Sequence, residues 1–321
     1  MTQTIDRSSI KAIGGSTIAA ILSDSPWGSP YSVWLQLTGK LPPGEENAAM
    51  SRGNAAEPVI ASMYALNHPE YSVETHGIVE HPEFSYLIGS PDRLLIQDGE
   101  LVAGLEIKTA NIMDMNQWGD EGSAEIPFHY WCQCLWYAGL LNVPVWYVAV
   151  GFVPPERRKI SVYREYEVRP EPGQFDMMLN KAVRFWTEHV EADVPPPITA
   201  PDRETTRYLR SRYPVHEPDK WLEPTEEIEE LTGRLLEARK VFDASEREFE
   251  LCKTLMIAAL GDAEGVTTSA GKITYKASKP TQKTDWKAVA DSLSPPKEII
   301  DNFTKEMPGS RRFLLPRGRE K

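Results

Sequence analysis

Hydrophobic and polar positions along this chain switch between two periods, and the switches mark its elements. In STIAAILS and YSVWLQLTGK, apolar residues three and four apart predict two short helices between residues 15 and 40, separated by the breaker SPWGSP and closed at Gly39. Ser16 stands where a helix N-cap would stand. From Glu45 to Leu66, Ala49, Met50, Ala56, Val59, Ile60 and Met63 recur near helical spacing and predict a third helix, with Pro58 expected to kink or divide it. HGIVEHP, FSYLIGSPDRLLIQ and ELVAGLEIKTA then read as strands, and Asp98-Gly99 between the last two is a hairpin signal. FHYWCQCLWYAGLL predicts a buried helix, VWYVAVGFV and ISVYREYEV two more strands, and residues 172–191 a further helix. This order implies an α/β (α+β) fold with a mixed central sheet flanked by helices.

The pattern changes after Pro195-Pro196-Pro197. Residues 223–259 repeat in sevens, with Ile228, Leu235, Phe242, Phe249 and Met256 in one set and Leu231, Ala238, Ser245, Cys252 and Ala259 in the other. One helix of roughly 55 Å that packs along a partner helix is expected, stopped by Gly261. A small hairpin, GVTTSAGKITYKAS, and a helix near DWKAVADSL follow. The expected organisation is a core over 1–194, a Pro-rich linker with a short helix over 195–222, and a long helix, hairpin and basic segment over 223–321.

Composition narrows the class. With 321 residues and 41% hydrophobic positions there is material for a real core. Cys132, Cys134 and Cys252 are too few for a disulfide framework or a four-thiolate metal site, and no leader or membrane-length apolar run is seen, so a cytoplasmic chain with no membrane partner is expected. The formal net charge of -12 argues at first against a polyanionic partner. By region it separates: residues 260–321 hold 12 basic and 8 acidic side chains, leaving 23 and 39 in residues 1–259. The basic C-terminal segment, with Lys272, Lys276, Arg311 and Arg312, is therefore the candidate footprint for a phosphate backbone.

Chemistry concentrates in Gly89-Ser90-Pro91-Asp92 and, past the hairpin, Gly104-Leu105-Glu106-Ile107-Lys108. Residues two apart on a strand face one way, so Glu106 and Lys108 project together while Ile107 enters the core. An adjacent strand ending at Asp92 brings a second carboxylate alongside. Two carboxylates and the Ile107 carbonyl make a hard-oxygen site suited to Mg2+, with Mn2+ as a substitute. A lysine beside it can position an attacking water, Glu57 can add a carboxylate, and Gln133 can orient the water or a phosphate oxygen. An E-x-K triplet alone is compatible with an exposed, salt-bridged strand; its order with Pro-Asp, the hairpin, the helical acid and the aromatic helix points to catalysis. Trp118, in the loop after the E-x-K strand, is a candidate to stack on a base, with loop packing as the other reading. His68, His76, His81 and His129 lack metal-ligand spacing and read as structural.

At these residues the chain resembles the PD-(D/E)XK nucleases, in the branch of phage lambda exonuclease and the YqaJ-type viral recombinases. The matching pieces are GGSTIAAIL, SPYSVWLQLTG, RGNAAEP, GSPD, LEIKTA and HYWCQC, over roughly residues 12–190. The resemblance implies a restriction-endonuclease-like core in which Asp92, Glu106 and the Ile107 carbonyl ligate Mg2+. It also implies that Lys108 assists the nucleophilic water, Glu57 supports metal or water, Gln133 contacts the reacting centre and Ser16 helps hold a 5′-phosphate. The implied activity is 5′ to 3′ degradation of one strand at double-stranded DNA ends, leaving a 3′ overhang for a single-strand annealing protein, in some members by a homo-oligomeric ring of three subunits. The chain departs from the pattern in lacking a clear match for the arginine that partners the phosphate-binding serine, and in carrying Leu135 where a second glutamine is common. A structure-specific or restriction-like endonuclease, and a non-catalytic DNA-binding or assembly protein working through the heptad helix, are the competing readings.

Overall fold

The computed structural model describes residues 11–23, 25–41, 48–154, 159–305 and 311–315. Residues 45–47 of the expected third helix and 316–321 of the basic tail lie outside them. The chain divides into two compact units, Met1–Arg212 and Tyr213–Lys321.

In the first unit, α1 (Gly15–Ile21) buries Ile18, Ala19, Ala20 and Ile21, and α2 (Pro30–Leu37) starts with proline in its first turn, where a missing N–H leaves no helical bond unmade. Ser29 caps α2 by accepting from the Ser32 amide at 3.3 Å. The cap of α1 corrects the expectation for Ser16: Gly14 is the N-cap, and the Thr17 hydroxyl bonds the Gly14 amide and carbonyl at 3.0 and 2.9 Å. Ser16 lies one residue inside the helix. The helix α3 (Ala48–Asn67) continues unbroken through Pro58, which removes a single backbone donor.

The strands are β1 (Ser72–Glu74), β2 (Val79–Glu80), β3 (Ile88–Gly89), β4 (Arg93–Gln97) and β5 (Glu100–Asn111). A 3-10 turn and a loop lead to α4 (Phe128–Leu141), then β6 (Trp146–Val153) and β7 (Val162–Val168). Asp98 and Gly99 between β4 and β5 both have positive φ, 52° and 85°, as a type I′ hairpin turn requires. Five strands form the mixed sheet in the order β1-β4-β5-β6-β7. Only β5 and β6 are parallel, joined by a crossover through α4; the other neighbours are antiparallel.

Helices cover both faces. Ile60, Ala61 and Tyr64 of α3 pack on Leu95, Ala103, Leu105, Ile107 and Ala149. On the other face α1, α2, α4 and α5 (Gln174–Phe185) enclose Leu94, Val148, Val150 and Phe152. Burial of each such large apolar side chain contributes about 1.5–3 kcal/mol. The chain continues past the proline run within this unit: α6 (Arg203–Arg212) follows Asp202, whose carboxylate accepts from Ser29 and Thr205.

The second unit contains α7 (Glu226–Leu260), the hairpin β8 (Gly265–Thr268) and β9 (Gly271–Thr274), and two short helices, α8 (Trp286–Leu293) and α9 (Lys297–Phe303). The long helix starts at Glu226, later than the heptad pattern, because Pro224 precedes it and the Thr225 hydroxyl caps it by accepting from the Ile228 amide at 3.3 Å. Gly261, at φ 55°, follows its last turn. No helix among the described residues is long and apolar enough to cross a membrane.

Candidate active site

The alternation of β5 decides which side chains meet. Leu105 and Ile107 enter the layer under α3, so Glu106 and Lys108 project to the face covered by α4. The α4 helix is apolar around most of its circumference but carries Tyr130, Gln133 and Tyr137 at spacings of three and four, on one side. Gln133 Nε2 donates to Glu106 Oε1 at 2.7 Å and to the Tyr137 hydroxyl at 3.2 Å, while Lys108 Nζ donates to Glu106 Oε1 at 2.5 Å and to Gln133 Oε1 at 3.2 Å. The Lys108 ammonium also lies 4.8 Å from the centre of the Tyr130 ring.

Asp92 stands at the start of β4 rather than at the end of a strand, because β3 finishes at Gly89 and the chain turns through Ser90-Pro91. Two bonds fix this turn. Trp136 Nε1 of α4 donates to the Ile88 carbonyl at 2.8 Å, and the Ile107 amide donates to Asp92 Oδ2 at 2.8 Å. The last bond sets the Asp92 carboxylate beside the Glu106-Ile107 peptide. Gly15 supports the same corner: a Cβ there would stand 2.6 Å from the Tyr137 ring.

Burial controls the electrostatics. Glu106 is 1% exposed, and its Oε2 has no hydrogen-bond partner. Burial, followed by repulsion from Asp92, pushes its carboxyl up to about 8. Burial likewise raises Asp92, against the Lys108 ammonium and the Ile107 amide. For Lys108 burial acts downward, but the Glu106 and Asp92 carboxylates outweigh it and hold the ammonium above its ordinary range. The cluster thus holds two carboxyl groups and one ammonium in a low-dielectric corner, with one Glu106 oxygen unsatisfied and the Glu106 proton held to near pH 8.

The open oxygen, and a carboxyl pair whose ionised form lacks a second positive partner, fit a hard divalent cation between Asp92, Glu106 and the Ile107 carbonyl. Glu57 is placed differently. It comes from α3, on the other side of the sheet, and Arg93 draws it away, with Nη1 donating to Glu57 Oε1 at 2.7 Å and to the Asp92 carbonyl at 2.5 Å. Glu57 therefore reaches the rim of the cleft, and among the described residues no three His, Cys, Asp or Glu side chains converge closely enough to hold an ion.

A single cleft is lined by Ser16, Glu57, Asp92, Glu106, Lys108 and Gln133. Ser16 is exposed there. The expectation of base stacking for Trp118 is corrected: its indole is 6% exposed and enclosed by Tyr130, Phe152 and Tyr166, with ring centres at 5.6, 5.8 and 5.2 Å. Lys272, Lys276, Arg311 and Arg312 belong to the second unit. Lys272 is exposed on β9, and Lys276 lies beyond that strand in an ion pair with Glu264 at 2.7 Å. Arg311 donates to the Tyr213 carbonyl at 3.3 Å, and Arg312 is exposed. Sequence reasoning missed Arg93, Tyr130 and Tyr137. Helical spacing from Gln133 would have found the two tyrosines.

Residues 7–140, which hold the cleft residues from Ser16 to Tyr137, match the family model of the YqaJ-like viral recombinase domain. A relative named "Uncharacterized protein YqaJ", from Bacillus subtilis (strain 168), is 28% identical over 216 residues, a match spanning 67% of this chain and 64% of that protein's length. Among solved structures, an alkaline exonuclease (LHK-Exo) from Laribacter hongkongensis superposes with a TM-score of 0.45 at 18% identity, covering 63% of this chain and 93% of its own. A phage related exonuclease from Haemophilus somnus 129PT gives a TM-score of 0.40 at 9% identity, over 57% and 95%. The matched segment ends at Leu140, so β6, β7 and α5 complete the sheet and its cover outside it.

Proposed function

We propose that this chain is a Mg2+-dependent deoxyribonuclease that degrades one strand of duplex DNA from the 5′ end. The 3′ overhang it leaves would be handed to a single-strand annealing protein in phage-type homologous recombination, by a homo-oligomer such as the three-subunit ring the resemblance implies. One observation carries the reading: a buried Glu106 with an unsatisfied oxygen, set beside Asp92 and bonded to both Lys108 and Gln133 at the floor of a cleft.

Asp92, Glu106 and the Ile107 carbonyl would hold Mg2+, or Mn2+ in its place, and the bound ion supplies charge stabilisation and a more acidic water. The protein's own groups do the positioning. The Ile107 amide fixes the Asp92 carboxylate. Gln133 and Lys108 hold Glu106 in one rotamer by donating to its Oε1, which leaves Oε2 as the free ligand oxygen. Lys108, kept protonated by the carboxylates, presents N–H donors to a scissile phosphate or its attacking water, and the Tyr130 ring limits where that ammonium can move. Ser16, exposed in the same cleft, is the hydroxyl available to a 5′-phosphate.

The test incubates linear duplexes, with and without 5′-phosphate, beside supercoiled circles in Mg2+. Wild type is expected to shorten the linear duplexes from their 5′ ends and leave closed circles intact, and Lys108→Ala to lower the rate by about 10²–10⁴-fold. Cutting of circles would replace the exonuclease reading with an endonuclease one. Full activity of Lys108→Ala, or absence of Mg2+-dependent digestion, would remove the catalytic reading.

A further inference from the structure

The apolar stripe of α7 has no cover among the described residues of its own unit: Phe242 is 56% exposed, Phe249 66%, and Ile228 and Leu231 are exposed as well. Taking Ile228, Leu235, Phe242 and Phe249 as heptad position a makes Leu231, Ala238, Ser245 and Cys252 position d. The flanking e and g positions then hold Glu227, Thr232, Arg234, Arg239, Val241, Glu246, Glu248, Lys253 and Leu255, with two arginines before the middle and two glutamates after it. Self-pairing can be tested against that order, because charges at e and g set partner orientation.

In an antiparallel pair, e faces e and g faces g. With Phe242 set opposite Ala238 of the second copy, Arg234 meets Glu248 and Arg239 meets Glu246. Each contact occurs twice by symmetry, and Val241 meets its own copy at the centre. The core layers become Ile228 with Cys252, Leu235 with Ser245, Phe242 with Ala238 and Phe249 with Leu231. In three of the four layers a large side chain faces a small one, which lets the helices approach closely. Sliding the copies one heptad one way sets Glu246 against itself and Arg239 against Lys253. Sliding the other way sets Arg239 against itself. A parallel pair sets Arg234 against Arg239, with Glu248 against Lys253 as its one opposite-charge contact, and stacks Phe242 on Phe242 and Ser245 on Ser245 in the core. We infer that α7 is a homodimerisation element that pairs antiparallel with a second copy of itself in the Phe242–Ala238 register. Arg239 now pairs with Asp243 in its own helix at 2.8 Å, and in the dimer it lies between Asp243 and the partner helix's acidic position.

Cysteine chemistry reads the register in the full-length chain. Cys252 is exposed, whereas Cys132 and Cys134 are buried. Antiparallel pairing keeps the two copies of Cys252 about 36 Å apart at 1.5 Å per residue, but brings Cys252 opposite position 228. Under oxidation by copper-phenanthroline, Ile228→Cys is expected to form a disulfide-linked dimer through Cys252, and wild type is expected to form none. A wild-type Cys252 dimer would mean parallel pairing and overturn the inference, as would absence of cross-linking in both proteins.

Light scattering supplies the second readout. Arg234→Glu with Arg239→Glu, or Glu246→Arg with Glu248→Arg, should weaken the pairing by at least about tenfold and halve the particle mass, whatever other contact joins the subunits. Mixing the two double variants, or placing all four changes in one chain, should restore it. Unchanged mass in both double variants, or failure of the fourfold variant to recover, would overturn the inference.

Discussion

The two units break the same rule in opposite directions. The first encloses Asp92, Glu106 and Lys108 among aromatic and aliphatic side chains, where charge is costly; the second leaves Phe242, Phe249 and Leu231 on the outside of α7, where apolar surface is costly. Elsewhere in the first unit the ordinary partition holds, with apolar layers on both faces of the sheet. The difference teaches where to look for what is bound: under the proposals above, a cation and an anionic backbone at the cleft, and another apolar helix along α7.

Four substitutions test this contrast. Trp118→Ala has the largest expected effect on stability, a loss of about 3–5 kcal/mol in urea denaturation, because the indole belongs to the core; lost DNA affinity at unchanged stability would restore the stacking role. Gly15→Ala is expected to cost about 1–3 kcal/mol by driving a methyl into Tyr137, and to lower nuclease activity by disturbing the Gln133–Tyr137 contact. Asp92→Asn has the opposite sign. It removes the uncompensated buried charge, so the melting temperature in EDTA should rise, by about 1–2 kcal/mol of stability, while cleavage and stabilisation by Mg2+ are lost; a lower melting temperature in EDTA would show that Lys108 needs both carboxylates. Phe249→Ser should change the unfolding free energy of the dissociated chain by less than about 0.5 kcal/mol, since its ring is already in water, and yet reduce self-association. A large loss of intrinsic stability would mean that the ring is covered within one chain.

Much of the first unit was legible because its determinants are local. The Asp98-Gly99 turn, the alternation along β5 and the apolar run of α4 each lie within a few residues, and together they place Glu106, Lys108 and Gln133 on facing elements. What was missed depends on distant pairs. Nothing near Glu57 announces that Arg93 takes its carboxylate, and nothing near Trp118 announces the three rings that enclose it. The assignment of Ser16 as a cap failed for a smaller reason: Gly14 and Gly15 both tolerate cap geometry, and Thr17, at the third helical position, supplies the bonding hydroxyl.

The two-residue connection of β4 to β5 also bears on the order of events as the chain folds. A hairpin with so short a loop forms in about 1–10 μs, whereas the parallel alignment of β5 with β6 must wait for a crossover of more than thirty residues that includes α4. Asp92 and the Glu106-Ile107 peptide are therefore brought together while still hydrated, and desolvation comes only when α4 docks. Neutralising either carboxylate should then act mainly on the unfolding rate and little on the folding rate, because the electrostatic penalty arises after the rate-limiting nucleus has formed.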